Sequence, residues 1–335
     1  FSQLPERYRD MTIAEVYDDV GCSMRTMQYY SGIPDPIERR HPAAVKSDWQ
    51  QSGNRSTTIT HTPHGDLVEV YERTIDDTWR EVGFPVRDAD DLRKLTWLMR
   101  NTTFHFVGDN FTRSDAFVGE RGVPGFWVPK SPYQALAQQW MKLEDLIYAL
   151  ADCPAVVEEA MRAIDDAYDT LYREMIADGR VQVVNFGENI HEQLLSPDYF
   201  ERYLLPFWDK RVGQLRAAGI FTHVHIDGYF RTLLPYLTRI ACDGIEALTP
   251  VPQGDMTLEE IKQHCGNKIL LDVIPAVYFL ETYSRDRLLE ETEKIVRLFA
   301  PNLILGISDE LPEAAGEEGI ERTRLIADWC RRQKP

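Results

Sequence analysis

The chain has no apolar run approaching the ~20 residues that a membrane-spanning helix needs, so no membrane association is expected. It is short of positive charge: 37 Lys and Arg stand against 54 Asp and Glu, a net charge of −17. Such a chain repels phosphate backbones, and no basic stripe compensates, so nucleic acid is excluded as an expected partner. The five cysteines, Cys22, Cys153, Cys242, Cys265 and Cys330, are odd in number, far apart and without a CxxC spacing. That argues against a zinc ribbon and a disulfide framework, and a reducing cytoplasm fits best. No GxGxxG or P-loop motif follows any strand-like segment, which removes the usual signature of a dinucleotide or nucleoside triphosphate fold. The first residues, Phe1 to Arg7, lack a basic-then-apolar leader pattern. Because the chain starts without methionine, a further strand ahead of Phe1 is allowed for.

What the chain does have is material for a large α/β fold. Its 335 residues are 43% hydrophobic and 27% charged, enough for one large barrel or two ordinary domains. The organising stretch is Phe221-Thr222-His223-Val224-His225-Ile226-Asp227-Gly228. Alternating apolar residues make it a strand, in which positions two apart share a face, so His223, His225 and Asp227 fall on one side. His225 and Asp227 sit where the strand gives out. A histidine and a carboxylate at that spacing can grip a divalent metal or hold and polarise an acidic substrate.

Residues 1–60 read as irregular apart from a short helix begun by Thr12-Ile13-Ala14-Glu15. Thr57–Thr60 and Leu67–Ile75 read as strands joined through the turn His64-Gly65-Asp66 into an antiparallel hairpin. Asp88 caps a helix to about Met99, Thr103–Val107 is a short apolar strand, and Gly122–Trp127 is a loop. Helices are expected at about 132–140, 143–151 and 154–178, the last with a core stripe from Val157 to Met175. From Val181 onward the pattern becomes regular, with five strand-then-helix units in series. The strands are Val181–Phe186, Phe221–His225, Ile245–Leu248, Lys268–Asp272 and Leu303–Ile307. Serial units of this kind imply a parallel sheet with right-handed crossovers. With the apolar strands upstream, the expectation is an α/β fold of the closed (β/α)8 TIM-barrel type. The chain then forms one domain over 1–335, with an N-terminal hairpin and helical extension over 1–100 packed on a barrel core over 101–335.

In a barrel the C-terminal strand ends meet at one mouth. The residues expected there are Glu188 and Asn189, His225 and Asp227, Thr249 and Pro250, Asp272, and Ser308-Asp309-Glu310. Several carboxylates with few bases repel one another unless a cation or proton intervenes. A His/Asp/Asp or His/Asp/Glu set suits Zn²⁺ or another divalent ion. Taken singly, His225 reads more readily as a hydrogen-bonded structural histidine and His223 as a packed one, while Asp309 reads equally as a cap.

These segments resemble the uroporphyrinogen decarboxylase superfamily, and within it the cobamide-dependent methyltransferase branch. His64-Gly65-Asp66-Leu67 followed by Phe84–Leu92 is similar to that branch's N-terminal hairpin and helix. Ser196-Pro197-Asp198-Tyr199-Phe200 resembles its helix start, His225-Ile226-Asp227-Gly228 its H-x-C-G or H-x-D-G turn, and Leu303–Pro312 its last strand and site loop. The resemblance implies a (β/α)8 barrel in which zinc, held by one His and two Cys, activates a thiol that takes a methyl group from a corrinoid protein. Carried over by position, His225 is the His ligand and Asp227 and Asp309 stand where the two Cys would be. The decarboxylase branch binds acidic tetrapyrroles through an RQAGRY-like segment, of which Gly21–Gln28 is only a remote echo.

The implied activity is methyl transfer in a corrinoid-dependent demethylation-type system on a small-molecule substrate. A divalent metal on His225, Asp227 and Asp309 polarises the substrate heteroatom, and Glu188 or Glu310 moves the proton. Asn189, His64 and Asp272 are expected to bind substrate. The partner is a corrinoid protein delivering methylcobamide, and a homodimer is also expected. The alternative is a metal-independent carboxy-lyase acting on an aromatic or tetrapyrrole carboxylic acid, with Asp227 or Asp309 stabilising the intermediate and Arg25 or His64 anchoring a carboxylate.

Overall fold

The structure, a computed structural model, describes residues 5–26, 32–308 and 310–333. The chain forms two compact units from interleaved stretches: Phe1–Pro36, Val107–Val128 and Arg180–Pro335 in the first, Ile37–Phe106 and Pro129–Gly179 in the second. Among the described residues no helix is long and apolar enough to cross a membrane.

The first unit is built on a six-stranded sheet whose neighbours follow chain order. Its strands are Trp127–Val128, Val183–Ile190, Phe221–Ile226, Gly244–Glu246, Ile269–Leu271 and Leu303–Ile304. Every adjacent pair is parallel. Apolar side chains at Val184, Phe186, Val224, Ile226, Ile245 and Leu270 are fully buried, as a parallel sheet covered on its faces requires. Helices alternate with these strands. Ser196 caps the first of them, its Oγ accepting from Tyr199 N at 3.2 Å, with Pro197 at the first helical position. Thr257 and Glu260 form a reciprocal capping box on Leu258–His264. Between the His225 strand and the next, the expected α-helix near 229–240 is instead a 3₁₀ segment, Arg231–Arg239, with Pro235 inside it. Proline has no N–H to donate to an α-helical ladder.

Three upstream segments differ from the sequence expectation. Gly122–Trp127 is not a loop. Gly122–Gly125 pairs in parallel with Met24–Thr26, and Trp127 opens the six-stranded sheet. Thr103–Phe106 does not join the parallel sheet but pairs antiparallel with Ile37–Arg40 in the second unit. Residues 1–60 are far from irregular: they hold Ile37–Arg40, Lys46–Ser52 and most of Arg55–Thr62. Lys46–Ser52 lacked a sequence signal because it is exposed along its whole length and so has no apolar alternation to show. The hairpin around Gly65 is present, as Arg55–Thr62 against Gly65–Arg73, inside a four-stranded antiparallel sheet. Helices Ala89–Arg100 and Pro154–Ala167 belong to the second unit, the first capped by Asp88 as expected. The long helix expected over 154–178 breaks at Tyr168 into Pro154–Ala167 and Asp169–Asp178.

The short pair Met24–Thr26 and Gly122–Gly125 positions Arg25, and it admits no side chain at Gly122. A Cβ there would lie 2.0 Å from the Met24 carbonyl oxygen. Gly122→Ala is therefore expected to push Met24 and Arg25 off the pair and cost about 2–3 kcal/mol. Urea unfolding checks this; an unchanged midpoint would show that the pair yields without loss.

Candidate active site

At the C-terminal ends of the parallel strands, side chains from three other strands converge on one carboxylate, that of Glu246. Register places Asn185 level with His223, and His225 level with Glu246. Glu246 closes the Gly244–Glu246 strand and is 6% exposed. Its Oε2 accepts a hydrogen bond from Asn185 Nδ2. The same oxygen lies 3.1 Å from His223 Nδ1 and 3.6 Å from His225 Nδ1. Its Oε1 accepts from Arg25 Nη2, which also donates to Asp272 Oδ2 at 2.5 Å. Arg25 thus bridges two carboxylates that would otherwise repel each other.

The backbone is arranged for this convergence. Ala247 and Asp272, each following directly on its strand, take φ of +58° and +56°, a region non-glycine residues seldom occupy. Both keep the ladder at the turn, Ala247 N donating to Leu271 O at 3.0 Å and Asp272 N to Ile304 O at 3.2 Å. Gly306 faces the Asp272 carboxylate so closely that a Cβ would lie 2.0 Å from Oδ1. Strain of this kind persists where the surroundings over-determine it, and it concentrates at functional sites.

The two carboxylates are held in different states. Burial pushes Glu246 upward, but His223, His225 and Arg25 outweigh it and hold the group well below the usual carboxylate range. Burial pushes Asp272 up to about 6; the Glu246 charge adds to the rise and Arg25 opposes it. One member of the pair is a fixed anion and the other exchanges a proton close to neutrality. Acids and bases separated in this way by their environments are characteristic of catalytic sites. The cluster also has unsatisfied capacity: Arg25 Nε, Asn185 Oδ1 and His223 Nδ1 are buried without a hydrogen-bond partner among the described residues. His223 Nδ1 is near Glu246 but off the line a hydrogen bond needs.

Of the residues the sequence nominated, His225 and Asp272 come together here. Asp227 lies beyond the strand end and is exposed, its backbone N–H donating to Ile190 O at 3.2 Å. Glu310 is exposed on the following loop, and Asp309 lies outside the described residues. Glu188 is fully buried and accepts from Trp208 Nε1 at 3.2 Å. Asn189 is exposed with φ +51°. His64 belongs to the second unit, where its ring lies 5.3 Å from that of Trp97. Thr249 and Ser308, both expected at the mouth, are buried and hydrogen-bonded to each other. Among the described residues no group of three or more His, Cys, Asp or Glu forms a metal-binding cluster. The carboxylates that do converge are already bridged by a guanidinium.

Sequence reading missed Glu246 and Asn185 and undervalued His223. A signal was present: Glu246 sits between Ile245 and Ala247-Leu248, and an acid inside an apolar strand must find partners when buried. Arg25, named only as a carboxylate anchor for the lyase alternative, comes from the segment that echoes the decarboxylase branch.

No protein-family model matches the sequence. No curated protein matches it either. Solved structures do. A methyltransferase from Methanosarcina mazei aligns over 96% of this chain and 92% of that one, with a TM-score of 0.52 at 13% identity. A B12-independent methionine synthase from Shewanella sp. W3-18-1, in complex with selenomethionine, aligns over 95% of this chain and 86% of that chain. Its TM-score of 0.49 at 11% identity is too loose to carry anything across. The first likeness shows a shared fold.

Proposed function

We propose that the chain is a methyltransferase whose chemistry runs at the strand-end cluster. The observation that carries this reading is the Arg25–Glu246–Asp272 arrangement at the ends of parallel strands. The fold shared along almost the whole chain with the Methanosarcina methyltransferase supports it. The finer form of the fold is a closed (β/α)8 barrel, supported by a parallel sheet in strict chain order, with the strand ends lining one mouth. The methyl group comes from methylcobamide carried by a corrinoid protein, a reading supported by the His225-Ile226-Asp227-Gly228 turn.

Transfer of a methyl group to a protonated heteroatom acceptor releases one proton. Asp272, with its carboxyl near 6, is the group suited to take it. Glu246 stays ionised and orients Arg25, Asn185 and the two histidines around the acceptor. Arg25 holds the Asp272 carboxylate in place from one side while the absent side chain at Gly306 makes room on the other. The rate is expected to rise with pH through about 6 as Asp272 ionises, and Asp272→Asn is expected to flatten that rise.

The assay is loss of methylcobalamin absorbance in the presence of small thiols and amines. Turnover that Asp272→Asn slows supports the reading; no demethylation with any acceptor overturns it. Zinc or another divalent ion on His225, Asp227 and Asp309 would supply Lewis acidity at the acceptor, and its support is the sequence pattern alone. Elemental analysis of wild-type and His225→Ala protein tests it, with about one equivalent, lost in the variant, as the positive result.

A second reading is favoured by one observation, the presence of Arg25 in the cluster. In it the chain is a carboxy-lyase: Arg25 anchors a substrate carboxylate, carbon dioxide leaves, and Asp272 delivers a proton to the carbon left behind. Carbon dioxide released from an aromatic or tetrapyrrole acid in the absence of methylcobamide would select it.

A further inference from the structure

The four-stranded antiparallel sheet of the second unit has two edges, and they are built differently. At Trp79–Gly83 the register slips between Val70 and Tyr71, and Pro85 follows closely. Bulges and prolines are the usual devices that stop an edge from pairing further. The other edge, Lys46–Ser52, has neither. It runs unbroken through seven residues in register with Arg55–Thr62, and each of the seven is exposed.

We propose that this edge pairs with the same strand of a second copy of the chain, joining the two sheets across a twofold axis at Trp49. The backbone supports that register. Ser52 and Arg55 close a two-residue turn that begins at Gly53, with φ +59°. In such a hairpin the closing pair exchanges hydrogen bonds, and the pattern alternates along the strand. The outward-facing N–H and C=O groups therefore belong to Ser47, Trp49 and Gln51. An antiparallel copy centred on Trp49 sets Trp49 against Trp49 and Ser47 against Gln51, and satisfies these groups with about six backbone hydrogen bonds.

The side chains are self-complementary in the same register. Lys46 meets Ser52 and Asp48 meets Gln50, so no like charges oppose each other. Although the chain carries −17 overall, this strand holds one cation and one anion. Asp48 is already engaged by His61 Nε2 at 3.1 Å. Trp49, 64% exposed, is tethered by Nε1 donating to Ser56 Oγ at 2.8 Å. Pairing lays the two indoles side by side on one face and removes the largest exposed aromatic surface of the strand from water. Trp and Tyr are the residues most enriched at such contacts.

The test is sedimentation velocity of the full chain from low micromolar to several hundred micromolar. The expected weight-average mass rises with concentration from 38.7 kDa toward twice that value. Ser47→Pro removes an outward N–H without touching the ladder to Arg55–Thr62. Gln50→Asp sets a second carboxylate opposite Asp48 and leaves the backbone unchanged. Each is expected to weaken association about tenfold or more, with far-UV circular dichroism and thermal midpoint retained for Gln50→Asp. A wild-type protein that stays monomeric throughout overturns the proposal. So does a dimer that both variants leave intact.

Discussion

Glu246→Gln is expected to lower kcat/KM for methyl transfer by about 10²–10³-fold while leaving the protein folded. Glutamine keeps the shape of the side chain but only one acceptor oxygen, so of Asn185 Nδ2 and Arg25 Nη2 one keeps its acceptor and the other faces an amide NH2. What disappears is the fixed negative charge between two histidines, an amide and a guanidinium. Asp272 then loses the neighbour that helps push its carboxyl up to about 6. The pH–rate profile is therefore expected to shift its inflection below about 6 as well as losing amplitude. A profile that keeps both its height and its inflection would remove Glu246 from the site.

Arg25→Ala is expected to act in the opposite direction on the same proton. The guanidinium lowers the Asp272 pKa, so its loss moves that pKa above about 6. It also leaves Glu246 and Asp272, whose side chains are 8% and 17% exposed, facing each other without a cation. Breaking a buried ion pair from one side costs about 3–5 kcal/mol. The pH dependence follows from linkage. The folded-state pKa of Asp272 already lies above its ordinary value of 3.8, and the variant raises it further. A group of this kind contributes stability below its unfolded pKa and loses it as pH rises through the folded value. The thermal midpoint of Arg25→Ala is thus expected nearer to wild type at about pH 5 than at about pH 8. Arg25→Lys, which keeps the charge but not the fork, is expected to recover much of the stability and little of the activity. A pH-independent deficit would mean that Arg25 supports packing and not the carboxylate pair.

The sequence by itself determined the serial strand–helix organisation after Val181, because buried parallel strands are nearly continuous apolar runs that need no partner to be recognised. It placed His225 and Asp272 at strand ends for the same reason: each follows an apolar run whose end is marked by a change to polar residues. The hairpin at Gly65 and the Asp88 cap were legible as local turn and capping chemistry. Other features were decided only by tertiary structure. Lys46–Ser52 is a strand because Arg55–Thr62 pairs with it, not because its own residues alternate. Thr103–Phe106 has the composition of a sheet strand, yet Ile37–Arg40 claims it as an antiparallel partner.

The site shows the same division. Strand ends can be found from one segment at a time, but the charge balance at those ends depends on side chains far apart in the chain. Arg25 and Glu246 are separated by 221 positions, and Arg25 and Asp272 by 247. Arg25 does not stand out locally, since an arginine on a three-residue strand is an ordinary surface residue until burial removes the water around it, and the apolar neighbours of Glu246 signal burial without naming its partners. Desolvation gives each its meaning: it forces the acid to find Asn185, His223 and Arg25, and it lifts Asp272 toward neutrality. A sequence shows where charges stand along the chain; only the packed structure shows which of them lose water together.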